Sequence, residues 1–238
     1  MTPNKPIKWA ATLAQVREVS LIGGANLAFW SDRLKAQGLL LREINGKAQI
    51  MILGAAAKFA GLKFREISIS IQAARSGGQS RQEEVFLLSA FNSNRFFAFC
   101  ERFFFSTPYH HAKVDLDSAP ASLRIAGKSS IAFLAHMSGN TTPNPSQQSD
   151  EQWQGAVHLP NMKRGSNTER FFFARLAGHT QRYPFLPSAD SLTINPLASG
   201  DVLSALIESR FTPTEWIVRP DATHAKSKTY QRDAPPLS

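Results

Sequence analysis

Apolar and polar positions change period several times along the chain, and each change predicts an element. Val16 to Ile22 alternates weakly and stops at Gly23-Gly24, which predicts a short strand. Asn26 is placed to cap a helix through Leu27, Trp30 and Leu34 that ends at Gly38. Leu39–Ile44 and Lys47–Leu53 are apolar runs separated by Asn45-Gly46. That dipeptide predicts a hairpin, because both residues tolerate the positive φ of a tight turn. Phe64 to Ile71 alternates cleanly: Ile67, Ile69 and Ile71 face one way, Glu66, Ser68 and Ser70 the other. Ala74 to Gln82 reads as a loop and Val85–Leu88 as the returning strand, so 64–90 forms an antiparallel pair.

Asn92 to Phe105 reads as a helix with two adjacent apolar rows, Phe96-Phe99-Phe103 and Phe97-Cys100-Phe104. So wide an apolar arc predicts a largely buried helix, with Arg95 and Arg102 on the remaining stripe. Thr107-Pro108 ends it. Val114–Leu116, Leu123–Ala126 and Ser130–His136 follow as strands, the last two joined by a turn at Gly127-Lys128. Residues 138–152 read as a long polar loop. Ala156–Leu159, Arg170–Leu176 and Leu192–Ile194 are short strands, and Val202–Phe211 is a helix. These hairpins with few helices predict an α+β fold: an antiparallel, β-rich barrel or cone with flanking helices. The expected organisation is a single domain over 1–220 and a polar tail over 221–238 with little power to fold alone.

Composition narrows the function classes. The chain has 238 residues, 42% of them hydrophobic, enough for a sizeable core without metals or disulfides. Its single cysteine, Cys100, suits a reducing compartment, and a cytoplasmic protein is expected. No secretory leader and no run of membrane-spanning length is read, so no membrane partner is expected. The formal charge is +9, but the basic residues are scattered; Lys163-Arg164 and Lys226 with Lys228 and Arg232 are the densest groups. Sequence-specific nucleic-acid binding is therefore not expected. A small-molecule ligand and a homo-oligomer remain the partners this reading admits.

Several familiar motifs fail on inspection. Ala126-Gly127-Lys128-Ser129 ends like a phosphate-binding loop but has Ser122 where the upstream glycine is required. With one cysteine, structural zinc is not expected, and no metal or cofactor is assigned. His110-His111 in an extended segment sends its rings to opposite faces, so one ion cannot easily take both. His158, His179, Arg182, Tyr183 and the stretch Thr223-His224 are further polar candidates with no spacing to choose among them.

Asn92 to Lys113, with the strands before it, resembles the central motif of acetoacetate-decarboxylase-like proteins. In that family a helix carrying Gly-Arg-Glu is followed by Pro-Lys-Lys and a strand. Here Arg102 stands six residues before Pro108, and Ala112 also falls in place. Phe64-Arg65-Glu66 resembles the family's earlier aromatic-x-Glu strand, and Thr107-Pro108-Tyr109-His110-His111-Ala112 is similar to an uncharacterised branch with Leu-Pro-Tyr after an aromatic-rich helix. The resemblance implies the barrel fold and makes Glu66, Arg102, Tyr109, His110 and Lys113 pocket candidates.

The departures bear on the chemistry. The family's Schiff-base lysine falls on Tyr109 and its neighbouring lysine on His110; Glu101 and Phe103 replace the residues flanking its arginine. A phenol cannot form an imine, and no adjacent ammonium stands ready to hold a lysine neutral, an arrangement acetoacetate decarboxylase itself exemplifies. Lys113 lies about 10 Å farther along a strand than His110 and faces the other way. Two readings follow: a repurposed pocket in which Arg102 anchors an acid while Glu66 or His110 handles protons, and a non-catalytic binding or interaction scaffold. Convergence of Arg102, Glu66 and His110 on one concavity separates them.

Overall fold

The structure is a computed structural model that describes residues 6–74, 84–127, 130–139, 148–161, 168–196 and 201–233. In chain order the elements are β1 (Trp9–Ala25), α1 (Leu27–Lys35), β2 (Leu40–Leu41), β3 (Glu43–Ile44), β4 (Lys47–Phe59), β5 (Leu62–Ala74) and β6 (Glu84–Asn92). Then come α2 (Arg95–Phe104), β7 (Tyr109–His111), β8 (Lys113–Ser118), β9 (Ala121–Ala126), β10 (Ile131–His136) and β11 (Gln148–Leu159). The chain continues through β12 (Thr168–Pro184), β13 (Ser191–Ile194), α3 (Val202–Glu208), β14 (Thr212–Ser227) and β15 (Tyr230–Asp233).

The long strands close into a ring in the order β5-β4-β1-β14-β12-β11-β6, and β6 returns to β5. The fold is the expected β-rich α+β barrel. The sheet is mixed rather than purely antiparallel, however: β6 runs parallel to both β11 and β7. A second sheet, β13-β10-β9-β8, covers one side of the wall.

Period-2 alternation divides each wall strand between two environments. Ile67, Ile69 and Ile71 are fully buried in the main core, which lies between the wall and the small sheet with α1 and α3. Trp30 and Leu34 of α1, and Leu203 and Leu206 of α3, enter the same core. Gly54 permits close packing there: a Cβ at this position would meet Leu123 Cδ2 at 2.4 Å. The opposite parity of the same strands faces the barrel interior. The expected hairpin at Asn45-Gly46 is present, with φ of 52° and 74° and Ile44 paired to Lys47.

Other expectations also need correction, among them the short strand read over Arg170–Leu176, which is the 17-residue β12. The segment read as a short strand from Val16 is the 17-residue β1. The polar stretch 138–152 is not wholly loop, since Gln148 to Gln152 begin β11, each residue paired with β12; residues 140–147 lie outside the described residues. The tail expected from 221 instead contains the last part of β14, which pairs with both β1 and β12. Finally, α2 is not buried: Ala98 is its one buried residue, and Phe96, Phe99, Phe103 and Phe104 are exposed. The loop 74–82 and turn 127–128 lie mostly outside the described residues, as does Lys163-Arg164. No helix among the described residues is long and apolar enough to cross a membrane.

Candidate functional site

The barrel encloses a cavity of about 420 Å³. Its walls are mostly apolar: Leu53 and Ala55 of β4, Val85 and Leu87 of β6, Phe172 and Leu176 of β12. The inner face of α2 closes one end through Phe97, Cys100 and Glu101. Phe59, Phe96 and Phe105 both line the cavity and are exposed, so they form its rim.

Three polar groupings interrupt the apolar wall. In the first, Glu66 projects from the face of β5 opposite the isoleucines, as the alternation requires. Its Oε1 accepts from the Tyr109 hydroxyl at 2.8 Å, and its Oε2 from Asn92 Nδ2 at 3.0 Å. Asn92 Oδ1 accepts from the Asn94 amide at 2.8 Å, and Asn94 caps α2 by accepting from the amides of Phe96 and Phe97. The cluster is thereby tied to the start of the covering helix. Burial, then the charge of Glu101, push the Glu66 carboxyl above the usual range, outweighing the bonds from Tyr109 and Asn92. Burial, then the charges of Glu66 and Glu101, push the Tyr109 phenol well up, so its hydroxyl stays a donor.

In the second, Lys226 reaches in from β14 and its Nζ lies 2.6 Å from Glu101 Oε1. The ammonium also sits 4.7 Å from the Phe172 ring centroid, a cation–π contact. Thr107 Oγ1 fixes the other side of Glu101, 2.7 Å from its carbonyl oxygen and 3.2 Å from Oε2.

In the third, His224 lines the wall and its Nε2 lies 2.6 Å from Oε2 of Glu18. Glu18 is fully buried on β1 and paired through Oε1 with Arg219, whose Nε donates to Thr180 Oγ1 at 2.8 Å. Burial alone would raise the Glu18 carboxyl, but the bonds and charges of His224 and Arg219 together bring it below the usual range.

The sequence candidates divide. Glu66 and Tyr109 meet in the cavity and touch. Arg102 is exposed on the outer side of α2, and His110 packs its ring 5.6 Å from Phe91 on the face opposite Tyr109. Lys113 is exposed on β8, and neither it, Arg102 nor His110 lines the cavity. Partial burial and the charge of Arg102 hold His110 below the usual histidine range. Arg102, Glu66 and His110 therefore do not converge on one concavity, which weakens the reading of a catalytic pocket built on them. Asn92, Glu101 and Lys226 were missed, and His224 had no geometry to recommend it. The signal was there in part: His224 and Lys226 are two apart, so they share a face once 212–227 is read as a strand.

The remaining polar candidates lie off the cavity. Arg182 is held by Glu151 at 2.7 and 2.9 Å and by Glu215 at 2.8 Å. His158 is buried between Glu84, 2.9 Å from Nε2, and Glu169, 2.8 Å from Nδ1. No three His, Cys, Asp or Glu side chains among the described residues are grouped to hold a metal.

No family model and no curated protein matches the sequence. Solved structures do match in shape. An acetoacetate decarboxylase-like enzyme from Sphingomonas wittichii RW1 superposes with a TM-score of 0.61 at 10% identity, covering 99% of this chain and 98% of that one. Acetoacetate decarboxylase from Legionella pneumophila gives a TM-score of 0.61 at 14% identity, over 99% of this chain and 92% of that one. The enduracididine biosynthesis enzyme MppR gives 0.62 at 11%, over 98% and 90%. With these TM-scores and with coverage of 90% or more in both directions, the chain has the acetoacetate-decarboxylase-like fold.

Proposed function

We propose that the cavity binds a small, largely apolar organic acid or carbonyl compound and does so without forming an imine. The observation that carries this reading is the composition of the cavity: an apolar enclosure of about 420 Å³ with a few inward polar groups. That volume falls within the roughly 300–1,000 Å³ typical of small-molecule sites, where a few polar groups orient an otherwise apolar ligand. A ligand oxygen has a donor within the cavity in the Lys226 ammonium, which spends only part of its N–H capacity on Glu101. On the same scaffold, structures of MppR are complexed with pyruvate and with a condensation product of pyruvate and imidazole 4-carboxaldehyde. Pyruvate is a carbonyl acid, within the chemical class proposed here.

Imine formation requires a neutral amine within reach of the ligand. Tyr109 and His110 supply none, and Lys113 points away from the cavity. Lys226 does reach it, but its Nζ is already engaged by Glu101 at 2.6 Å and lies 4.7 Å from the Phe172 ring centroid. Incubation with acetoacetate and borohydride, followed by peptide mass spectrometry, tests the point. No adduct is expected at residues 109–113 or at Lys226; a reduced adduct at Lys226 would restore imine chemistry through a relocated lysine.

A second reading, acid–base catalysis in the same cavity, has one observation in its favour. His224 faces the ligand space with the buried Glu18 carboxylate behind it, and a carboxylate so placed orients an imidazole for proton transfer. Turnover lost in a His224→Gln variant that still binds ligand would favour it over simple binding.

A further inference from the structure

The outer face of α2 has no partner among the described residues. Phe96, Phe99, Phe103 and Phe104 are between 55% and 67% exposed, and Phe105, Phe59 and Leu62 extend the apolar surface from α2 to the β4–β5 turn. Phe99 and Phe103 stack at 5.3 Å, with Phe104 set edge-on against both. An apolar surface of this kind, held in water by a folded chain, marks an interaction site. The flanks are cationic: Arg95 and Arg102 on the helix, Lys58 and Lys63 at the tip of the β4–β5 hairpin, all exposed. The helix has a single carboxylate, Glu101, and it is turned inward onto Lys226 and Thr107.

We propose that this face docks onto an anionic membrane surface, with the phenylalanine side chains of α2 entering the headgroup layer and the surrounding cations on the lipid charges. An amphipathic helix with aromatic residues on one side and Arg or Lys at its margins is suited to lie in that interface. Charge decides between this occupant and a second copy of the chain. A two-fold interface sets a patch against itself, which would crowd Arg95 and Arg102 of both copies together with no outward carboxylate on the helix to meet them. Anionic headgroups remove that repulsion, and the +9 net charge of the chain acts in the same sense at longer range. Because Phe59, Phe96 and Phe105 form the cavity rim, docking would set the mouth of the cavity against the lipid. The docking does not require the cavity to be filled, so it stands or falls apart from the ligand reading.

Vesicle flotation with the full chain tests it, using vesicles of phosphatidylcholine alone and of equal parts phosphatidylcholine and phosphatidylserine. The chain is expected to float with the anionic vesicles, weakly with the neutral ones, and to be released as salt is raised. A Phe99→Ser/Phe103→Ser variant should lose retention by roughly tenfold or more, and an Arg95→Glu/Arg102→Glu variant should lose the preference for anionic vesicles. Both pairs are exposed, so thermal unfolding should match the parent chain and confirm that the fold is kept. Failure to float with either vesicle, or full retention of the phenylalanine variant, overturns the proposal. So does a dimer in sedimentation velocity that the phenylalanine variant dissolves while no vesicle is bound, which assigns the face to a second copy.

Discussion

Glu18 and Glu66 are the same residue type in walls of the same barrel, and their surroundings push them in opposite directions. Glu18 has Arg219 and His224 against it and is held low; Glu66 has a phenol, an amide and the repulsion of Glu101, and is held high. The linkage signs follow. A carboxyl lowered by folding stabilises above its unfolded value and loses that contribution as pH falls through the folded value. A carboxyl raised by folding favours the native state below the unfolded value, and that preference is lost as pH rises through the folded one. Glu66→Gln is therefore expected to gain stability relative to the parent as pH rises from the ordinary glutamate range toward neutrality, measured by denaturant titration at a series of pH values. A parallel pair of curves would contradict the assignment. Glu18→Gln should do the reverse at neutral pH: it removes the nearer charge partner of buried Arg219 and leaves only Glu151 at 3.6 Å, at a cost of at most about 3–5 kcal/mol, and the deficit should shrink in acid.

The residue scale also explains which site candidates could be read in advance. Glu66 was legible because strand alternation is strict and its isoleucines had to face the core. Arg102 was not, because motif spacing gives position along a helix but not which side faces inward. Successive helical residues are rotated by about 100°, and that one step puts Glu101 rather than Arg102 in the cavity. His110 fails for the analogous strand reason, since Tyr109 takes the inward parity.

At the scale of elements, turns and alternating strands were the readable parts. Asn45-Gly46 declared its hairpin through a backbone requirement that few other residue pairs meet. β14 hid because a strand lining a cavity can carry His224 and Lys226 inward, and that polarity imitates a solvated tail. α2 misled in the other sense: a broad apolar arc states that the helix wants a partner, not that the partner is its own core. Its anchoring is testable. Asn94 accepts the amides of Phe96 and Phe97 and is itself positioned by Asn92, a Glu66 partner. Asn94→Ala is expected to cost about 1 kcal/mol. Amide exchange in the first turn of α2 should rise with it while the barrel strands stay protected; unchanged exchange would show that the cap does not hold the helix.

For the whole molecule, the closure of the ring could not be read from local pattern. It depends on β6 pairing in parallel with β11, which joins Glu84 to Ala156 across a long stretch of chain, and no turn signal announces such a contact. Closure is what creates the cavity. An open sheet with these residues would leave Leu53, Val85, Phe172 and Lys226 on an exposed face; the ring turns them into the lining of one enclosed space. The central claim is that this space takes a small apolar acid or carbonyl compound. Equilibrium titration with dansylated undecanoic acid, an apolar carboxylate with a reporter fluorophore, tests it most directly when the parent chain is compared with a Leu53→Trp variant that fills the cavity from β4. Saturable binding to the parent at one site per chain, abolished in a folded Leu53→Trp variant, is the result predicted. Binding of equal strength to both proteins, or none to the parent, would contradict it.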